Sequence, residues 1–142
     1  MNAMEISRTG LDVEWQRLQV IAQNLANINT SRTAAGGPFT PMRLVSGSSV
    51  DFATLVDTKG APDRPRGVEV LGLEQIVGGT RRAYEPGNPD ADAEGFVTYP
   101  DIDHAEQMTL LIKTSRAYEA NLTAYSLAQQ MYARAAELGR NR

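Results

Sequence analysis

The chain contains no cysteine. Disulfides, thiol catalysis and cysteine-ligated zinc are therefore excluded. It has a single histidine, His104. Long apolar runs are missing too: nothing approaches the roughly 20 residues that span a bilayer. The start, Met1-Asn2-Ala3-Met4-Glu5, lacks the basic and apolar regions of a cleavable signal, so no cleaved signal is expected. There is no basic excess: 14 Lys and Arg stand against 17 Asp and Glu, a net of -3. A nucleic-acid binder would carry a strong basic surplus. What is present suits a globular protein: 142 residues, 42% hydrophobic and 22% charged, enough for one real core.

The seven prolines all fall between residues 31 and 100, which divides the chain into helix, loop-and-strand, and helix. Residues 4–29 read as an amphipathic helix. Met4, Leu11, Leu18 and Leu25 recur every seven residues, with Trp15 and Ala22 between them and Arg8 as the polar exception. Gly10 costs about 1 kcal/mol against alanine inside a helix; it marks either a close approach to a neighbouring helix or the true helix start. Residues 104–138 form a second helix on the same alternation: Met108, Leu111, Ser115, Tyr118, Leu122, Tyr125, Gln129, Tyr132 and Ala136. Asp103 supplies the N-cap, with Glu106 completing a capping box, and Gly139 the stop. Between them, strands are expected at Met42–Val45, Val50–Leu55, Val68–Leu73 with Val77 beyond, Arg81–Glu85 and Phe96–Tyr99. Gly60–Gly67 and Glu85–Asp92 read as loops, with some of Thr30–Pro38 and Gly60–Gly67 expected to be mobile. The fold class is α+β: long terminal helices forming an antiparallel, coiled-coil-like pair with a small β-rich insertion between them. The domain reading is a discontinuous helical part, 1–30 and 104–142, and an insertion, 31–103.

A two-position seam buries too little to stand alone, so the helices need partners. The expected packing residues are Leu11, Trp15, Leu18 and Leu25 on the first helix, and Met108, Leu111, Tyr118, Leu122 and Tyr125 on the second. Ile21, Ile28, Ile112 and Met131 widen both stripes. Periodicity leaves two readings open: a simple hairpin of helices on its own β domain, or helices that each touch several neighbours.

The first helix carries Ser7-Arg8-Thr9-Gly10-Leu11 and ends in Asn24-Leu25-Ala26-Asn27-Ile28-Asn29-Thr30. The second carries Ser115-Arg116-Ala117-Tyr118-Glu119-Ala120-Asn121. Gly36-Gly37-Pro38-Phe39 and Tyr84–Pro100, with Asn88-Pro89-Asp90 and Gly95-Phe96, lie between. Together these motifs resemble the flagellar basal-body rod protein family, in order and over most of the chain, and most of all its proximal-rod members. The resemblance implies a structural subunit with no catalytic residue, cofactor or metal. It implies export by the flagellar type III apparatus without a cleaved signal, and helical assembly in the periplasmic rod with other rod proteins and the membrane-ring adaptor. It further implies terminal helices that stay partly disordered until assembly. Asn24, Asn27 and Asn29 can each donate and accept; they either terminate the helix or reach a neighbouring subunit. Arg116 and Glu119 can pair along the helix surface or across subunits.

Three other readings compete. Asp90, Asp92, Glu94, Gly95, Phe96, Thr98 and Asp101 fall at the positions of the ligands and the turn glycine in an EF-hand-like calcium loop. Against that, position 12 is Asp and not Glu, and Pro86 and Pro89 deny the loop an entering helix. A soluble coiled-coil adaptor would use the same seams on one partner. An enzyme is disfavoured: His104 sits in the first turn of the last helix as a boundary residue. Gly78-Gly79-Thr80 also lacks the glycines and lysine of a phosphate loop.

Overall fold

The computed structural model describes residues 2–48 and 67–140. Helix α1 spans Ala3–Ala26 and begins in a reciprocal cap. The Asn2 backbone N–H donates to Glu5 Oε2 at 2.9 Å, and the Glu5 N–H donates to Asn2 Oδ1 at 3.0 Å, satisfying two donors that a helix start leaves bare. The helix stops short of the expected residue 29. Asn27 N–H still reaches Gln23 O, but Ile28 N–H bonds to Leu25 O, a tighter spacing that closes the last turn. The 30–38 segment, expected to be mobile, is closed by backbone bonds from Phe39 N to Thr30 O at 3.1 Å and from Thr33 N to Gly37 O at 2.9 Å.

Four strands follow. β1 (Met42–Ser48) pairs with β2 (Val68–Gln75), and β3 (Thr80–Tyr84) pairs antiparallel with β4 (Phe96–Pro100). The second pair runs in register from Thr80 opposite Pro100 to Tyr84 opposite Phe96. The period of two in β4 buries Val97 and Tyr99 and leaves Phe96 and Thr98 half-covered. Val77 lies beyond β2 and is fully exposed. The expected strand Val50–Leu55 and nearly all of the loop Gly60–Gly67 lie outside the described residues. The β3–β4 connection closes through Glu85 N to Gly95 O at 2.9 Å. Gly95 has a φ of 84°, and a Cβ there would sit 3.0 Å from the Tyr84 ring. Backbone and neighbour both demand glycine.

Helix α2 runs His104–Arg140. Asp103 Oδ1 accepts the N–H of Ala105 at 2.8 Å and of Glu106 at 3.3 Å, the cap the sequence called for. Gly139 does not stop the helix, which continues through Arg140.

The chain forms two compact units. One contains α1 through Gln16, Val45–Ser48, Val68–Gly72 and α2 from Thr114; the other contains Arg17–Leu44 and Leu73–Lys113. In the first, Val13, Thr114 and Ala128 are buried, and Trp15 meets Tyr118 with ring centroids 6.4 Å apart. Thr9 Oγ1 accepts the Val68 N–H at 3.1 Å, tying β2 to α1. In the second, Val20, Ile21, Leu44, Val97, Tyr99 and Ile102 make the core.

Candidate assembly interface

The residues that each helix buries are not the ones its leucine repeat suggests. On α1 the buried positions are Gly10, Val13, Val20, Ile21 and Asn24. Met4, Leu11, Leu18 and Leu25 are only half-covered, Ala22 and Arg8 are exposed, and Trp15 is 54% exposed. On α2, Gln107, Thr114 and Ala128 are buried, and Leu111, Tyr118, Asn121 and Tyr125 are partly covered. Met108, Leu122, Gln129, Tyr132 and Ala136 are exposed. Leu111, Tyr118 and Tyr125 thus lie on the covered face. The alternate positions slip by one residue, from Met108, Ser115, Leu122 and Gln129 to Gln107, Thr114, Asn121 and Ala128.

The cause is the close approach of the helices at small residues. A Cβ on Gly10 would lie 2.9 Å from Asn121 Oδ1, so the Asn121 amide lies directly on the α1 backbone. Gly10 against Asn121 and Trp15 against Tyr118 run in opposite directions, so the first unit's two helical segments are antiparallel. A leucine at position 10 would force the backbones apart there. Leu122, next to Asn121 in the chain, is left half-exposed.

The signature asparagines are engaged within the chain. Asn24 is 2% exposed. Its Nδ2 donates to Met42 O at 2.8 Å and to Gln107 Oε1 at 3.2 Å, while its Oδ1 accepts the Met42 N–H at 3.0 Å. One amide therefore satisfies both main-chain groups of a strand residue and a buried glutamine. Asn27 Nδ2 caps Gln23 O at 2.8 Å, and Thr30 Oγ1 donates to Asn27 Oδ1 at 3.0 Å. Asn29 Oδ1 accepts from Arg81 Nη2 at 2.8 Å. Ser7 and Ala117 are half-covered, and Ala26, Arg116 and Glu119 are exposed. Gln107, Thr114, Val13 and Met42 join the site without having been singled out. The signal available for the first two was the seven-residue series Gln107, Thr114, Asn121, Ala128, masked by the leucines beside it.

The acidic loop does not converge on a cation. Asp92 Oδ1 accepts the N–H of Glu94 at 3.0 Å and of Phe96 at 2.9 Å, and its Oδ2 meets Arg82. The Phe96 N–H above all, then Arg82 and the Glu94 N–H, hold the Asp92 carboxyl below its ordinary value. Asp90 turns to Ser31 Oγ at 2.8 Å and to Arg32. Among the described residues, no three acidic or histidine side chains are grouped to hold a metal ion. Glu85 accepts from Asn88 and from Tyr99 Oη at 2.9 Å; these two bonds lower its pKa, and the second raises that of Tyr99. The calcium-loop carboxylates act here as struts of a hairpin. His104 is exposed at the first residue of α2.

Comparison with known proteins gives this arrangement its context. Residues 93–138 match the family described as flagellar basal body rod FlgEFG protein, C-terminal. The flagellar basal-body rod protein FlgC of Borreliella burgdorferi is 33% identical over 92% of this chain and 91% of its own length. FlgC of Bacillus subtilis and of Salmonella typhimurium are each 31% identical, over 98% of this chain and 97% of theirs. With near-complete coverage in both directions and the signature residues lying on the paired helices, the chain belongs to the FlgC family of flagellar basal-body rod proteins.

Proposed function

We propose that this rod subunit assembles through the outward faces of its terminal helices. Family membership makes the chain a structural component of the basal-body rod that works alongside other rod components, and not an enzyme. One observation supports the finer reading. Gly10, Asn24, Gln107, Thr114 and Ala128 share the inner faces with Val13, Val20 and Ile21, while Leu122 at 50% exposure and Trp15 at 54% stay half open beside the half-covered leucine series. Exposed apolar strips of this kind on a soluble chain mark surfaces awaiting a partner.

In this reading, residues 1–30 and 104–142 act as the rod-forming part, and residues 31–103 as an insertion carried beside it. The neighbours are other rod subunits and the adaptor that joins rod to membrane ring, in the periplasm. Delivery is by the flagellar type III export apparatus without a cleaved signal. Torque passes along the helix contacts.

Leu122→Asp tests the proposal. The side chain is half-exposed, so the folded chain keeps its circular dichroism, whereas rod incorporation and swimming are lost. Leu18→Asp has the same effect on incorporation. Normal motility in a Leu122→Asp strain, or a stable closed oligomer of the purified chain, would contradict assembly through these faces; the latter would favour a free coiled-coil adaptor.

A further inference from the structure

We propose that residues 31–38 form a strap across the β3–β4 hairpin, buckled at Asp90 and positioned by Tyr99, that lifts off in acid while the hairpin stays paired. The strap acts within one chain and needs no subunit contact.

Between strap and hairpin lies a cleft of about 470 Å³, with Ser31, Gly37 and Pro38 on one wall and Pro89, Asp90 and Phe96 on the other. The tip of the strap stands clear. Ala34, Ala35, Gly36 and Gly37 are exposed, and a Cβ on either glycine would meet nothing within 4 Å. Both glycines have positive φ, 85° and 77°, a conformation that other residues adopt only at a cost. The tip keeps its shape through its own turn: Thr33 N–H donates to Gly37 O and Gly36 N–H to Thr33 O, both at 2.9 Å. It can therefore move as a piece.

Polar contacts fasten it. At the buckle, Ser31 Oγ donates to Asp90 Oδ2 at 2.8 Å and Arg32 Nη1 reaches Asp90 Oδ1 at 3.5 Å. Just before the strap, Arg81 Nη2 donates to Asn29 Oδ1 at 2.8 Å. Both fastenings lead back to Tyr99, which is 8% exposed. Its ring lies 4.9 Å from the Arg81 guanidinium. Its hydroxyl donates to Glu85 Oε2 at 2.9 Å and accepts from Asn88 Nδ2 at 3.4 Å. Asn88 Nδ2 also donates to Glu85 at 3.0 Å, and its Oδ1 accepts the Asp90 N–H at 3.0 Å. A residue of the second unit's core thus sets where both fastenings stand.

Acid acts on the buckle directly. A protonated Asp90 has no charge to hold Arg32 and gives up part of its acceptor capacity. The charged groups around it are Arg32 on the strap, Asp92 with its partners Arg82 and Glu94, and Arg81 and Glu85 beside Tyr99. Glu85 works in the same direction. The bonds from Asn88 and then Tyr99 hold its carboxyl below the ordinary value. Its grip is full above the unfolded value and fades as pH falls through the folded one, below about pH 4. The β3–β4 ladder rests on main-chain bonds that no titration removes, so the strap goes first.

Backbone amide relaxation by NMR on the full chain tests this. At pH 7 the amides of Ser31, Arg32 and Thr33 should have order parameters near the rigid value of about 0.85, falling below about 0.6 in acid, while Arg82 and Val97 in the hairpin stay rigid. Asp90→Ala should be loose already at pH 7 and should no longer respond to acid. Tyr99→Phe keeps the ring for Arg81 but removes the hydroxyl; it should loosen the strap at pH 7 with the hairpin still rigid. A native strap mobile at pH 7, a strap that stays rigid in either variant, or acid loss of order at Val97 in step with Ser31 overturns the inference.

Discussion

Replacing Gly10 with alanine sets two opposing effects against each other, and the structure says which prevails. Alanine is favoured over glycine in a helix interior by about 1 kcal/mol. At this position the new methyl would sit 2.9 Å from Oδ1, 3.0 Å from Cγ and 3.0 Å from Nδ2 of Asn121. The whole amide must give way, not just its tip. Overpacking of this kind typically costs 1–3 kcal/mol, so the net effect of Gly10→Ala is a destabilisation of about 1 kcal/mol. The partner variant isolates the cause. In an Asn121→Ala background the obstacle is gone, and Gly10→Ala should then stabilise by about 1 kcal/mol. The coupling between the two sites is therefore about 2 kcal/mol, within the range for residues in contact. Urea unfolding followed by circular dichroism at 222 nm reads all four corners of the cycle, with an unchanged m-value indicating that the folded and unfolded states are otherwise the same. If Gly10→Ala stabilises equally in both backgrounds, the two helices do not meet at this point and the explanation of the slipped seam is wrong.

Asn24→Ala strips partners from the Met42 N–H, the Met42 carbonyl and Gln107 Oε1 together. With about 1–3 kcal/mol for each buried group left unsatisfied, an overall loss near 3 kcal/mol is expected in urea unfolding. Asp92 and Glu85 have lowered folded-state pKa values. Their contribution is present above the unfolded-state values and fades as pH falls through the folded ones, so the β3–β4 hairpin should lose stability below about pH 4. Following hairpin amide resonances during acid titration tests this, and Asp92→Asn should flatten the response. Calorimetric titration with calcium should give no binding tighter than about 100 μM, because the carboxylates of the 90–101 loop already serve Arg82, Ser31 and backbone donors.

The helices and most strand positions could be read from the sequence because they depend on local signals. The Asp103 cap, the proline-free terminal zones and the alternation around Val97 act over a few residues. The buried face of each helix was not legible in the same way. Leucine at every seventh place is the strongest periodic signal in α1, yet the inner face is chosen by how closely two backbones can approach. That depends on a pairing of Gly10 with Asn121 that no single helix reveals. Asn24 presented the same difficulty. Its residue type suited capping or a neighbour, and only the fold brings Met42 and Gln107 to it. The Asn2–Glu5 cap was readable in principle, since its spacing matches a capping box with asparagine in place of serine or threonine. The 90–101 loop misled in the opposite direction: the liganding spacing is present, but the Arg82 across the hairpin that claims Asp92 is supplied by the register of β3 and β4.

The grip of Asn24 on Met42 makes a side chain act as a surrogate sheet neighbour. The first residue of β1 receives the donor and acceptor that an adjoining strand would offer, and receives them from the final turns of a helix. Order in those two elements is consequently a shared event. Fraying of the helix end releases the strand's anchor at once, and a strand pulled free leaves the buried amide with only its bond to Gln107. Disorder on either side of the joint therefore weakens the other.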